Sequence, residues 1–318
     1  MKSKSISAAP RSEPKRGNGR KPAKDPKEKM GKMERRERRQ TVWFLLPSII
    51  GILVFFVIPY LVVVYYSLVD NPINHQFVFL DNFKSLMQNS AFQLAVKNTL
   101  RFSLVSVPLV LVLSLLCALI LDTKLPFKTQ FRTVFITPLM VPVASIVLIW
   151  QVVFHQNGVL NEVMLVFGQI PVDWLKSEYS QYVIVLLYLW KNLGYNMILF
   201  MSALANIPRD VLEASSLEGA GPIKQFFLIK LRYLSSTLLF VGILSLIGSF
   251  KIFREVYLLT GSYPYDGLYL LQHFINNTFG SLDYQKLSAA ALIMCAAMII
   301  LIGLLFLIDN RVGGDIEE

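Results

Sequence analysis

The sequence predicts an all-α, polytopic membrane protein with six transmembrane helices. Three observations lead there. Hydrophobic residues make up 54% of the 318 and charged residues only 16%, too little polar surface for a water-soluble fold of this length. Six segments are long and apolar enough to cross hydrocarbon, which takes about 20 helical residues. Charge is also segregated. Residues 1–41 hold 15 Lys/Arg against 5 Asp/Glu, which accounts for the whole net charge of +10, and the rest of the chain is balanced at sixteen of each sign.

Residues 1–41 are rich in Lys, Arg, Pro, Gly and Ser and carry no apolar run, so they read as a disordered, retained basic tail. A solvated anchor for topology explains such a tail more simply than contact with RNA or lipid headgroups. Residues 42–310 form the six-helix domain, and 311–318 a short second tail. The first span, 42–69, carries no charge and holds Pro47 and Pro59, where kinks are expected. Polar residues 70–101 follow, then span two at 102–121. A short basic connection leads to span three, 133–154, with Pro138 and Pro142 near its start. The next loop, 155–178, contains an apolar run at 163–167 that suits an interfacial helix too short to cross. Spans four, five and six read as 179–207, 233–250 and 287–308, with a long connection at 251–286. Cys117 and Cys295 both fall within spans, as small apolar fillers.

Six spans put both termini on one side. With that side cytoplasmic, inner segments hold 23 Lys/Arg and outer loops 7. The excess of basic residues inside favours this orientation.

Between spans four and five lies a polar island, 208–232, punctuated by Gly and Pro. Pro208 suits a first helical turn, where its missing N–H costs nothing. Asp210 and Glu213 sit where the helix dipole favours negative charge. Gly219 and Gly221 can end that helix, and Pro222 can start another. About 11 helical residues span roughly 16 Å, which is enough to lie along a membrane and too short to cross one.

The run Glu213-Ala214-Ser215, then Gly219-Ala220-Gly221, then Ile229 and Leu231 resembles the Glu-Ala-Ala…Gly…Ile-x-Leu-Pro motif. That motif belongs to the permease subunits of binding-protein-dependent ABC importers, and the likeness is greatest to their carbohydrate branch, the maltose- and glycerol-phosphate-permease-like proteins. Ser215 stands where the motif has a second Ala, and Arg232 where it has Pro. Phe-Leu-Leu-Pro at 44–47 and Ile-Pro-Tyr at 58–60 are similar to the family's opening segment. Thr260-Gly261-Ser262-Tyr263-Pro264 looks like a degraded form of its Thr-x-Gly-Gly-Pro turn. The resemblance implies a type I importer permease fold whose island is a coupling helix docked on an ATPase. Glu213, Ala214, Ser215, Gly219, Ala220 and Gly221 would be the coupling residues. It further implies a second, distinct permease subunit, two ATPase subunits that carry ATP and Mg, an extracytoplasmic solute-binding protein, and a bacterial cytoplasmic membrane.

Other classes find little support. No G-x-x-x-x-G-K-[ST] is present for binding ATP, and no G-x-S-x-G nucleophile. His75, His155 and His273 lack metal-ligand spacing. Nothing points to nucleic acid beyond the basic tail. A self-contained secondary transporter or channel is the alternative, and the absence of an internal repeat counts against the inverted-repeat kind.

Span four carries the candidate recognition residues. Tyr188, Lys191, Asn192 and Tyr195 fall at i, i+3, i+4 and i+7 and share a helical face, with Trp190 and Asn196 flanking it. An ionisable residue at that depth is costly facing lipid and usually faces a cavity or a partner. Aromatic faces, amides and an amine together suit a sugar. In span five, Gly242, Ser245 and Ser249 share a face that permits close helix approach and offers two hydroxyls. By position relative to the island, the resemblance assigns these two segments to the sugar pathway. Lys191, with Lys251 and Arg254 near the outer mouth, points to an acidic or phosphorylated sugar.

Overall fold

The computed structural model describes residues 26–123 and 126–313. They divide into two compact units, one up to Tyr60 and one from Leu61. Among the described residues the regular structure is helical, and a single isolated bridge pairs Val69 with Phe77.

In the first unit, α1 covers Pro26–Ile52 and a π-helical turn follows at Leu53–Val57. Residues 26–41, expected to be disordered, are therefore helical. Pro26 stands at the first helical position, and the Lys, Glu, Met and Arg that follow are strong helix formers. Residues 1–25 of the predicted tail lie outside the described residues. Pro47 lies within α1, and the π turn precedes Pro59 at the start of α2 (Ile58–Ser67). That wider turn lies where the Pro59 ring would otherwise meet the Phe55 carbonyl of a regular helix. Trp43, Phe44, Phe55 and Phe56 are exposed, as side chains bathed in lipid would be.

In the second unit, α3 (Asp81–Met87) leads into α4 (Ser90–Asp122). The Asn89 side chain caps α4 by accepting from the Phe92 N–H at 3.0 Å. Capping starts the helix twelve residues before the predicted span at 102, because α4 extends beyond its apolar stretch. The predicted third span is two helices, α5 (Lys128–Met140) and α6 (Val143–Phe154). Pro142 disfavours helical angles at Val141, which is extended at φ −80°, ψ 131°. Next come α7 (Val159–Val166), which includes most of the expected interfacial run, and α8 (Ser180–Ala205).

The island forms α9 (Arg209–Leu217), α10 (Pro222–Gln225), a π turn at Phe226–Lys230 and α11 (Leu231–Tyr233). Beyond it, α12 (Ser235–Lys251) continues after a break at Ile252 as α13 (Phe253–Thr260). Last are α14 (Leu271–Gly280) and α15 (Tyr284–Gly313), and residues 314–318 lie outside the description. Six segments of the described chain have the length and apolarity to cross a membrane: Gln40–Ser67, Ser90–Asp122, Val143–Val166, Ser180–Ala205, Ser235–Thr260 and Tyr284–Asp309. The third of these is interrupted between α6 and α7.

The core is built on α4, α8 and α12. Asn98 of α4 lies beside Gln181 of α8, while Ala118 and Leu121 pack with Phe200 and Leu204, so the two helices run parallel. Helix α12 runs against them, with Ser103 beside Ser249 and Leu111 beside Gly242. A Cβ on Gly194 would sit on the Phe135 main-chain carbonyl, so glycine is what allows α5 and α8 to touch backbone to backbone. Small residues at helix contacts are the common solution in lipid, where no hydrophobic force drives helices together.

Candidate functional site

Two sites emerge, one across the core helices and one at the island. The first is a polar seam. The Tyr188 hydroxyl donates to the Ser245 main-chain carbonyl at 2.6 Å, and the Asn196 amide donates to the Ser245 hydroxyl at 2.9 Å. The Ser249 hydroxyl meets that of Ser103 at 2.9 Å and donates to the Leu246 carbonyl at 2.7 Å. All five side chains are buried, and Phe102 packs edge-on to Tyr188 at 5.6 Å between centroids. Buried polar groups are stable only when partnered, and here they are, across three helices.

One turn on, Lys191 forms an ion pair with Glu255 of α13. Glu255 is 1% exposed, and Arg254 approaches the same carboxylate oxygen at 3.7 Å. The second carboxylate oxygen of Glu255 has no hydrogen-bond partner among the described residues. The Asn192 amide turns back to the Tyr188 carbonyl at 2.8 Å. Trp190 and Tyr195 are 41% and 40% exposed, and Trp190 lies 6.0 Å from Trp150, itself stacked on Phe154 at 5.0 Å.

The predicted face of span four is thus graded. Tyr188 and Asn196 are buried, Lys191 and Asn192 half-buried, and Trp190 and Tyr195 exposed. Ser245 and Ser249 belong to the buried seam. Sequence reading missed Glu255, Ser103 and Trp150. A span five that ends at residue 250 leaves Glu255 in the following loop, whereas the structure places it in α13. The charge of Lys191 is neutralised within its own chain, which removes the argument for an acidic sugar that it supplied.

The second site is the island. Helix α9 ends in a Schellman motif: the Ala220 N–H reaches the Ser215 carbonyl at 2.9 Å, and the Gly219 N–H the Ser216 carbonyl at 3.1 Å. Gly219 has φ +82°, the left-handed angle this motif needs. Gln225 of α10 then folds back, donating to the Ser215 hydroxyl at 3.0 Å, the Ser216 hydroxyl at 2.8 Å and the Leu212 carbonyl at 3.3 Å. The two stubs are thereby locked into an elbow. Ser215, which stands where the motif has Ala, supplies one of those acceptors, and Gln225 was not anticipated. Glu213, Ala214, Gly219 and Gly221 are exposed and Ala220 half-buried, while Leu217 is 91% exposed and Ile223, Phe227 and Leu228 form an uncovered apolar rim. Elbow and seam are joined through α8, which runs from one to the other.

Outside the spans, His273 of α14 is fully buried against Phe253 at 4.7 Å, and burial pushes its imidazole down to about 4. Its Nδ1 accepts from the Leu270 N–H at 3.3 Å.

Known proteins resemble this chain in sequence and in fold. The arabinooligosaccharides transport system permease protein AraP of Bacillus subtilis (strain 168) is 29% identical over 221 residues, 68% of this chain and 70% of its own. The trehalose/maltose transport system permease protein MalF of Thermococcus litoralis is 29% identical over 238 residues, 73% of this chain and 81% of its own. The fold matches a chain from the crystal structure of a bacterial ABC transporter involved in the import of the acidic polysaccharide alginate. The TM-score is 0.77 and the identity 19%, over 88% of this chain and 99% of that one. The family model for binding-protein-dependent transport system inner membrane components matches residues 110–313, which include the elbow and most of the seam, and the chain belongs to that family.

Proposed function

We propose that this chain is half of a carbohydrate pathway across the bacterial cytoplasmic membrane, driven by separate ATPase subunits through the elbow. The observation that carries this reading is the elbow itself: two short helices, hydrogen-bonded to each other, present an apolar rim at the end of α8. Exposed apolar patches framed by polar residues mark surfaces that receive a partner. In this reading Glu213, Ala214, Ser215, Gly219, Ala220 and Gly221 shape the docking surface. ATP and Mg reside on the partner subunits, and both termini are cytoplasmic. A second permease subunit completes the pathway, and a solute-binding protein delivers to its outer side.

The names of the relatives supply the substrate class, and the seam is chemically suited to it. Trp190 and Tyr195 offer ring faces, and Lys191 and Asn192, both half-buried, offer polar groups for hydroxyls. Because Lys191 and Glu255 pair, the lysine supplies no free charge for an anionic sugar. Tyr188, Asn196, Ser245 and Ser249 hold the frame behind that surface. Alternating access follows if ATP changes the separation of the elbows, since only differential contacts can bias two states.

The test is uptake and ATPase activity measured together on the reconstituted complex. Glu213→Lys or Gly219→Leu is expected to abolish uptake while leaving the ATPase uncoupled or dissociated. Normal uptake with normal ATPase stimulation in both variants sinks the proposal, as would gradient-driven transport by the chain alone.

A further inference from the structure

At the end of α8 away from the elbow, a cleft of about 760 Å³ opens between α4, the first turn of α8 and the turn at 265–267. Four charges line it: Lys97 and Arg101, one turn apart on α4, and the carboxylates Glu178 and Asp266. All four are exposed, and none closes an ion pair among the described residues. Ser180 also lines the cleft. It is fully buried, yet its hydroxyl has no hydrogen-bond partner among the described residues. It stands at the start of a 26-residue helix, whose N-terminal N–H groups attract negative charge.

Depth fixes what can fill such a cleft. Helix α4 has 33 residues and so is roughly 50 Å long, against about 30 Å of hydrocarbon. About 20 residues counted back from Asp122 reach Ser103. Lys97 and Arg101 then lie at headgroup level, while Val105 and Leu109, on the same stripe and exposed, lie at acyl-chain level with Val185 across from them. Tyr179 and Tyr182, exposed beside the cleft, are the side chains expected at a membrane boundary.

The geometry points to a bound aminophospholipid in the leaflet farther from the elbow. Its phosphate sits between Lys97 and Arg101 and accepts from the Ser180 hydroxyl. Its ammonium donates to Glu178 and Asp266, and one acyl chain lies along Val105, Leu109 and Val185. A purely anionic headgroup would leave the two carboxylates opposed to it, and a saccharide would leave hydroxyls unpaired against the apolar half. The pairing of both signs with an apolar floor selects the zwitterion that has N–H groups to donate.

The test uses the detergent-purified protein with its co-purifying partners. It is exchanged into nanodiscs of equimolar phosphatidylethanolamine, phosphatidylglycerol and phosphatidylcholine, and retained lipid is read by native mass spectrometry. Phosphatidylethanolamine should be retained several-fold over phosphatidylcholine, whose quaternary ammonium has no N–H. Lys97→Gln with Arg101→Gln should remove that excess, and Glu178→Gln with Asp266→Asn should turn the preference towards phosphatidylglycerol. Size-exclusion profiles confirm that the variants remain assembled. Equal retention of the three lipids by the wild type overturns the proposal, as does an excess that survives loss of both cations. A cross-link from Val105→Cys to a second permease subunit, showing that protein covers the cleft, also overturns it.

Discussion

Lys191 of α8 and Glu255 of α13 form an ion pair inside the membrane-spanning part of the chain, and Glu255 has no access to solvent. Removing one member strands the other charge, a loss of about 3 kcal/mol or more, whereas removing both leaves an uncharged contact. Lys191→Met and Glu255→Gln should each lower the thermal midpoint of the purified complex. The double variant should recover most of that loss. Additive losses in the double-mutant cycle would show that the pair is not coupled.

Gly194 is where α5 and α8 meet backbone to backbone. Gly194→Ala drives a methyl into the Phe135 carbonyl and should cost about 3 kcal/mol or more, enough to deplete the assembled protein in membranes. Gly242→Ala is the control, since its added methyl meets no atom closer than 3.9 Å. It should assemble normally. Equal yields of the two variants would contradict the close approach.

The elbow has a separable hinge and lock. Gly219→Ala meets no steric obstacle but must hold φ +82°, at a cost of about 1–2 kcal/mol, and Gly219→Asn should cost less. Gln225→Ala deletes the bonds to Ser215 and Ser216, worth about 1 kcal/mol each. Faster hydrogen exchange at the Gly219 and Ala220 amides should report both losses. In the uptake assay, more ATP should be spent per sugar moved.

His273 gives stability a pH dependence. Its imidazole titrates near 4 in the folded chain and near 6.5 when unfolded, so the unfolded state binds the extra proton between those values. Stability is full above about pH 6.5 and falls as the pH drops towards 4, by on the order of 3 kcal/mol for this group. The ring faces Phe253, Tyr257 and Tyr269, with no carboxylate among them to compensate a charge. His273→Gln should flatten the midpoint-versus-pH curve over that range. An unchanged slope would assign the acid sensitivity elsewhere.

The elbow was legible in the sequence because its signals are local: Pro208, Gly219 and Pro222 each act on their own backbone. Helix ends were less legible. Hydropathy counts only what must be dry, and α1 and α4 continue as helices into polar sequence, under good helix formers in one case and the Asn89 cap in the other. Pro142 was visible near the start of span three, and the full break it produces divides that span into α5 and α6. The Lys191–Glu255 pair joins residues 64 positions apart, and no spacing rule reaches across that distance. A buried lysine needs an opposite charge, however, and Glu255 sits just before Val256 and Leu259, which bury one face of α13. That amphipathic stretch was the available clue.

Tyr188 holds α12 by a carbonyl of the main chain and not by a side chain. Every amino acid that could occupy position 245 would bring the same acceptor with it. A substitution at 245 would therefore give up the Asn196 bond to the hydroxyl yet leave the Tyr188 tether in place, and a change at 188 is what would release that tether.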